Sequence, residues 1–202
     1  MKLYFAPGTC SLSPHILLRE TEADFTLEKV DLKTKQTASG SDFLAINPKG
    51  KVPVLELADG TRLTEGAIVA QYIAELAGAR ELLPDRGDPA RYRVLEWQTF
   101  VTTELHKTYS PLFNPALDVV SKQVFAAELR KKYEWVDARL EGSDYLTGAR
   151  FTVADAYFYA VTRWARLVGI ELGDLPNLQA TIARISQRPM VRTALAFEGL
   201  LS

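Results

Sequence analysis

Asn47-Pro48-Lys49-Gly50-Lys51-Val52-Pro53-Val54-Leu55-Glu56-Leu57-Ala58-Asp59-Gly60-Thr61-Arg62-Leu63-Thr64-Glu65-Gly66 turns the chain back on itself and then starts a helix. Val52 to Leu57 and Thr61 to Leu63 are strand-like. Asp59-Gly60 between them is a hairpin signal, because such a turn needs positive φ and glycine supplies it without strain. Pro53 cannot donate to a ladder, so its strand begins at an edge or the Val52–Pro53 bond is cis. A cis bond turns the Val52 N–H and C=O out of the sheet, free to pair with an extended ligand; an ordinary trans bond is the common alternative. From Gly66 to Ala77 a helical run closes the unit.

Upstream, Lys2 to Phe5 reads as a short strand ended by Ala6-Pro7-Gly8. Ile16, Leu17 and Leu18 lie in a helix-length segment from Ser11 to about Glu22, with Pro14 in its first turn, where a missing N–H costs little. Leu27 to Leu32 is a second strand. A polar stretch follows from Lys33 to Asp42, then a short helix over Phe43 to Ile46. The order β-α-β, α, β-β-α predicts one compact mixed sheet with a right-handed crossover.

Downstream the texture changes. Leu82 to Pro89, with two prolines, a glycine and three charges, reads as a linker. Beyond it every period is helical. Tyr92, Leu95, Phe100 and Leu105 mark a long helix that should end before Pro111. Phe125, Leu129, Tyr133, Val136 and Leu140 form one apolar stripe. Val153 to Val168 is apolar on nearly all sides, as a central helix would be, and Asn177 to Gln187 and Val191 to Phe197 are shorter helices parted by Pro189. The fold class is thus α/β plus all-α, with domains over residues 1–80 and 87–202.

Bulk properties narrow the function. The 202 residues are 47% hydrophobic and 24% charged with a formal net charge of −1, so a real core is available and nothing steers the chain toward nucleic acid or an anionic membrane. No apolar run approaches the ~20 residues of a membrane span, and the start does not read as a signal peptide. The single cysteine cannot form an internal disulfide and is easiest to keep reduced in the cytosol, so a cytoplasmic protein is expected.

Cys10 follows a strand and a Pro-Gly turn and immediately precedes a helix start. Unpaired N–H groups and the positive dipole end there favour a thiolate, although a lone cysteine is as often a small buried hydrophobe. The run Cys10-Ser11-Leu12-Ser13 lacks the second cysteine of a dithiol oxidoreductase. Gly66 allows close approach to a helix N-terminus that favours a carboxylate, and Glu65 beside it suits an ammonium; a glutamate is also simply favoured in a first helical turn. His106 reads either as a functional imidazole or as a helix-stabilising one. Thr152-x-x-Asp155 has capping-box spacing, which assigns Asp155 to folding.

Together, Cys10-Ser11, Asn47 to Pro53, Leu63 to Gly66, Glu104-Leu105-His106-Lys107 and Phe151 to Tyr157 resemble bacterial glutathione transferases of the beta class, over essentially the whole chain. The resemblance implies a thioredoxin-like first domain and a helical second one, with glutathione as co-substrate and no metal. It implies that Glu65 and Gly66 hold the γ-glutamyl end and that Val52, ahead of Pro53, pairs main chain with the central residue. Lys35 would meet the glycyl carboxylate. Cys10 would lie beside the glutathione sulfur with Ser11 close by, and His106 and Lys107 would face the sulfur and a hydrophobic electrophile. Tyr109, Phe113 and Trp164 are candidates for the electrophile pocket. A homodimer is implied, with Thr99, Thr103 and Glu104 reaching the neighbouring subunit's glutathione; the family would place Asn at position 99.

Two chemistries fit these residues. In conjugation, donors among Cys10, Ser11 and His106 lower the pKa of the glutathione thiol, which attacks an electrophilic carbon. In thiol exchange, Cys10 itself carries glutathione as a mixed disulfide, and reductive dehalogenation is a variant of it. A third reading, an interaction module on this fold without catalysis, runs against retention of Cys10, Val52-Pro53, Glu65, Gly66 and His106 together.

Overall fold

The computed structural model describes residues 1–201. Five strands, β1 (Lys2–Phe5), β2 (Thr26–Asp31), β3 (Gln36–Thr37), β4 (Val54–Glu56) and β5 (Arg62–Leu63), form a sheet in the order β3-β2-β1-β4-β5. β1 pairs parallel with β2, which requires a crossover, supplied by α1 (Leu12–Glu20). β1 also pairs antiparallel with β4, Leu3 opposite Leu55, and the hairpin sets Leu55 opposite Leu63. Helices α2 (Phe43–Ile46) and α3 (Gly66–Leu76) complete this half.

The helical half comprises α4 (Pro89–Phe100), a π-helical turn (Val101–His106), α5 (Lys107–Leu112), α6 (Val119–Arg139), α7 (Val153–Thr162), a 3-10 turn (Ala165–Val168), α8 (Pro176–Ser186) and α9 (Pro189–Phe197). All ten residues of α7 are buried, as its all-round apolar sequence requires. One apolar cluster runs from Leu3 and Leu55 in the sheet through Leu17 and Ile73 to Phe158 and Val161 of α7. The opposite sheet face packs a smaller group, Tyr4, Val30, Phe43 and Val54.

Several expected boundaries move. β3 falls inside the stretch that composition marks as polar: a two-residue edge strand carries too few apolar side chains to show a period. Pro53 trims β4 to start at Val54. The long helix does not end before Pro111 but at Leu112, with the proline inside it. The ring and the missing N–H then act on the turn beginning at Lys107, where the π turn has already reset the hydrogen-bond register. The run Val153 to Val168 is not one helix: α7 stops at Thr162, and at the break the Trp164 indole N–H donates to the Gly8 carbonyl at 2.8 Å. Nor is Leu82 to Pro89 a free linker, since Leu82 and Leu83 are buried and the Leu82 carbonyl accepts the Val153 N–H at 3.0 Å.

Asp155 sits where its spacing puts it. One carboxylate oxygen accepts from the Leu146 N–H at 2.8 Å, the other from the Thr152 N–H at 2.9 Å and the Thr152 hydroxyl at 2.7 Å.

Candidate active site

The turn between β1 and α1 is tied down on all sides. Gly8, at φ +72°, donates its N–H to Glu198 at 2.9 Å and accepts the Trp164 indole N–H. Glu198 is itself held by His15 Nδ1 at 2.8 Å, and both side chains are fully buried. Ser11 is buried too: its Oγ meets Thr9 Oγ1 at 2.8 Å and both the N–H and C=O of Ala6, at 3.1 and 3.2 Å. The structure therefore gives Ser11 to the inside of the turn, and it is not among the residues walling the cleft.

Cys10 emerges from this turn half-buried, with its thiol donating to the Val52 carbonyl at 3.4 Å. The helix end does not make it a thiolate. Burial pushes the pKa up to about 12, and the main-chain N–H groups of Cys10 and Ser11 pull the other way without winning. The Val52–Pro53 bond is cis.

Around Cys10 lies a cleft of about 350 Å³ that brings together Val52, Pro53, Glu65 and Gly66 from the first half with Thr102, His106, Lys107 and Tyr157 from the second. A hollow of about 520 Å³ beside α3 and α4 is larger, but its walls carry Ile68, Tyr72 and Tyr92 and neither a thiol nor an imidazole. Glu65 opens α3 at φ +67°, a region costly for a residue with a side chain, while its carbonyl accepts the Ile68 and Val69 N–H groups at 2.9 and 3.0 Å. Its exposed carboxylate meets Lys49 Nζ at 2.5 Å. A Cβ on Gly66 would touch Pro53 Cγ at 3.7 Å, ordinary contact, so folding does not demand glycine there.

His106 shares a 2.5 Å hydrogen bond between Nδ1 and the Tyr157 hydroxyl and lies edge-on to Trp164, ring centroids 4.8 Å apart. Burial, reinforced by the Lys107 and Lys51 ammoniums, pulls its pKa from 6.5 down to about 4, so the imidazole is neutral at pH 7. A histidine depressed in the folded state binds protons more readily once unfolded. Acid should therefore cost the wild type stability relative to His106→Phe as pH falls from 6.5 toward 4, with no such difference growing above 6.5. Urea unfolding of both proteins across that range checks this, and a gap between them that does not change with pH contradicts it.

The other expected residues are dispersed. Lys35 is not on the cleft wall; its ammonium donates to the Gly50 carbonyl at 3.0 Å, behind the loop that presents Lys49 and Lys51. Thr99 and Thr103 point to solvent on the outside of the helical half, and Glu104 is half-buried against Lys132 at 3.1 Å. Tyr109 and Trp164 are buried and Phe113 half-exposed, forming an aromatic cluster next to His106. Missed from sequence were Asn47, Lys49, Lys51, Thr64, Thr102, Ser110 and Tyr157 as cleft walls. Asn47 had a readable signal: an Asn-Pro-Lys-Gly turn needs a side chain to bind its own backbone, and Nδ2 donates to the Lys51 carbonyl at 2.7 Å.

Residues 1–75 match the family model "Glutathione S-transferase, N-terminal domain" and residues 100–189 match "Glutathione S-transferase, C-terminal domain". Glutathione S-transferase GstA of Escherichia coli O157:H7 is 45% identical over 99% of this chain and 100% of its own. A sphingomonad glutathione S-transferase solved with glutathione superposes at TM-score 0.95 with 44% identity over the full length of both chains. The beta-class enzyme of Sphingomonas chungbukensis does so at TM-score 0.95 with 41% identity, again over the full length of both. With a thioredoxin-like sheet, a helical second half and a cleft between them that opens on Cys10, the chain belongs to the glutathione S-transferase family and resembles its bacterial beta class.

Proposed function

We propose that the chain is a glutathione transferase that conjugates glutathione to hydrophobic electrophiles in the cleft around Cys10, working as a cytosolic homodimer with domains over residues 1–80 and 87–202. One observation carries the reading: Cys10, Val52, Glu65 and Gly66 on one wall face His106, Lys107 and Tyr157 on the other across a single opening. Glutathione has the complementary groups in the same order. Its γ-glutamyl carboxylate suits the N-terminus of α3 at Gly66, its ammonium the Glu65 carboxylate, and its central amide the main chain of Val52. The glycyl carboxylate falls toward Lys51, while Lys35 supports that loop from behind through the Gly50 carbonyl.

The sulfur then lies between Cys10 and His106. A protonated Cys10 and a neutral His106 act there as hydrogen-bond donors that stabilise the glutathione thiolate, rather than as nucleophile and cation. Phe113, half-exposed above Tyr109 and Trp164, offers the electrophile an apolar face, and holding both reactants together supplies proximity. Thiol exchange through Cys10 is the second reading, supported by the position of its sulfur in the cleft. For the dimer, Ile68 and Tyr92 are more than half exposed on the α3 and α4 face that also leads to Thr99 and Thr103.

Calorimetric titration of glutathione into wild type and Glu65→Ala tests the reading. Removing a charge-assisted partner of the ammonium should weaken binding by about 10- to 100-fold. Equal affinities would displace the γ-glutamyl end from α3, and no binding by either protein would favour an interaction module.

A further inference from the structure

The turn that presents Thr102 and His106 to the cleft is not α-helical. Val101–His106 is a π turn in which the Lys107 N–H reaches the Thr102 carbonyl. The wider register leaves a main-chain carbonyl short of its usual donor where such a turn rejoins an α-helix, and π turns concentrate at functional sites. Here the Glu104 carbonyl takes two side-chain donors, the Thr108 hydroxyl at 2.6 Å and the Lys132 ammonium at 3.1 Å. Lys132 reaches across from α6 with its side chain 18% exposed. It also meets Thr108 Oγ1 at 3.0 Å, Glu104 Oε2 at 3.1 Å and Glu128 Oε1 at 2.8 Å. Burial alone would lower its pKa, but the hydrogen bonds to Glu128 and Glu104 outweigh that and hold it above the ordinary lysine value, so the ammonium stays charged.

We propose that Lys132 is a positioning residue of the cleft, whose ammonium clamps the π turn so that Thr102 and His106 remain directed at the reacting sulfur. The proposal rests on the glutathione reading for what occupies the cleft, but not for the clamp itself. Lys132 does not line the cleft and touches neither His106 nor Cys10; it acts through the Glu104 carbonyl and carboxylate and the Thr108 hydroxyl. Val52, Glu65 and Gly66, proposed to hold the central residue and the γ-glutamyl end, lie on other elements, so orientation should suffer more than affinity.

Lys132→Met is the test, with conjugation to an activated aryl halide, calorimetric binding of glutathione, and imidazole NMR measured on the same protein. The chain has two histidines, so His106 reports on the turn while His15, packed against Glu198, serves as the internal reference. The expected result is a kcat about 10- to 100-fold lower with glutathione affinity within about threefold, as for a small misplacement of catalytic groups. His106 signals should shift and His15 signals stay. Lys132→Arg, which keeps a charged donor, should recover much of kcat. An unchanged kcat with unshifted His106 signals overturns the proposal. So does movement of both histidines with a lowered Tm, since that is general loosening. If wild type binds no glutathione, the functional reading fails, while the His106 shift in Lys132→Met still decides the clamp.

Discussion

Iodoacetamide should alkylate Cys10 of the unliganded protein about a thousandfold more slowly than it alkylates a free cysteine at neutral pH. The thiolate is the reacting species, and a pKa pushed up to about 12 by burial leaves very little of it. Cys10 lines the cleft but is only partly exposed, so restricted access can only slow labelling further. Mass spectrometry of timed labelling reads the rate directly. Labelling as fast as a free thiol would mean that the helix N-terminus prevails over burial after all, and would return thiol exchange to the front. Slow labelling fits a cysteine that donates its S–H, to the Val52 carbonyl when the cleft is empty and to the glutathione sulfur when it is filled. Cys10→Ala then separates the two roles: conjugation should fall by the worth of one hydrogen bond, about 10-fold, whereas Cys10-dependent exchange should vanish.

Asp155→Ala should destabilise the fold by about 4 kcal/mol, because two main-chain N–H groups lose their acceptor where water cannot replace it, each costing ~1–3 kcal/mol. Those groups belong to Leu146 and Thr152, and the Thr152 hydroxyl is orphaned with them. Thr152→Ala removes a smaller part of the same arrangement and should cost about 1 kcal/mol. Urea unfolding measures both, and a loss below ~1 kcal/mol for Asp155→Ala would show that the buried groups find other partners. The protein that still folds should bind glutathione normally, since Asp155 is fully buried at the start of α7 and is not on the cleft wall.

Local signals carried much of this protein. Asp59-Gly60 could be read because few backbones can close a two-stranded turn, and the structure pairs β4 with β5 across it. Of the stripe Phe125, Leu129, Tyr133, Val136 and Leu140 read from its period, the last four are buried and Phe125 is partly so. Thr152 and Asp155 were read from spacing, since a capping box closes within one turn of chain. The cleft was half legible. Cys10, Val52, Pro53, Glu65 and Gly66 stand beside turns or helix starts, where sequence marks them. Thr102 and Tyr157 sit in helix interiors, where nothing local distinguishes a residue that faces a cleft from one that faces the core. The π turn was invisible for the same reason: its sequence, Val101 to His106, is ordinary helix.

By itself the sequence determined the order of the main elements, though not β3, the π turn or the break after α7, together with the two-part architecture and the turn positions of the cleft residues, because those follow from φ preferences, periodicity and hydrogen-bond closure over a few residues. It did not determine protonation. Helix placement argues for an ionised Cys10 and leaves His106 near 6.5, but burial by residues distant in the chain pushes the thiol up to about 12 and the imidazole down to about 4. It also did not determine which polar groups reach the opening: Ser11, next to Cys10, is turned inward, while Tyr157 and Thr102, far along the chain, line the wall. Desolvation and facing depend on what packs against a residue in three dimensions, and that is set by the whole chain at once.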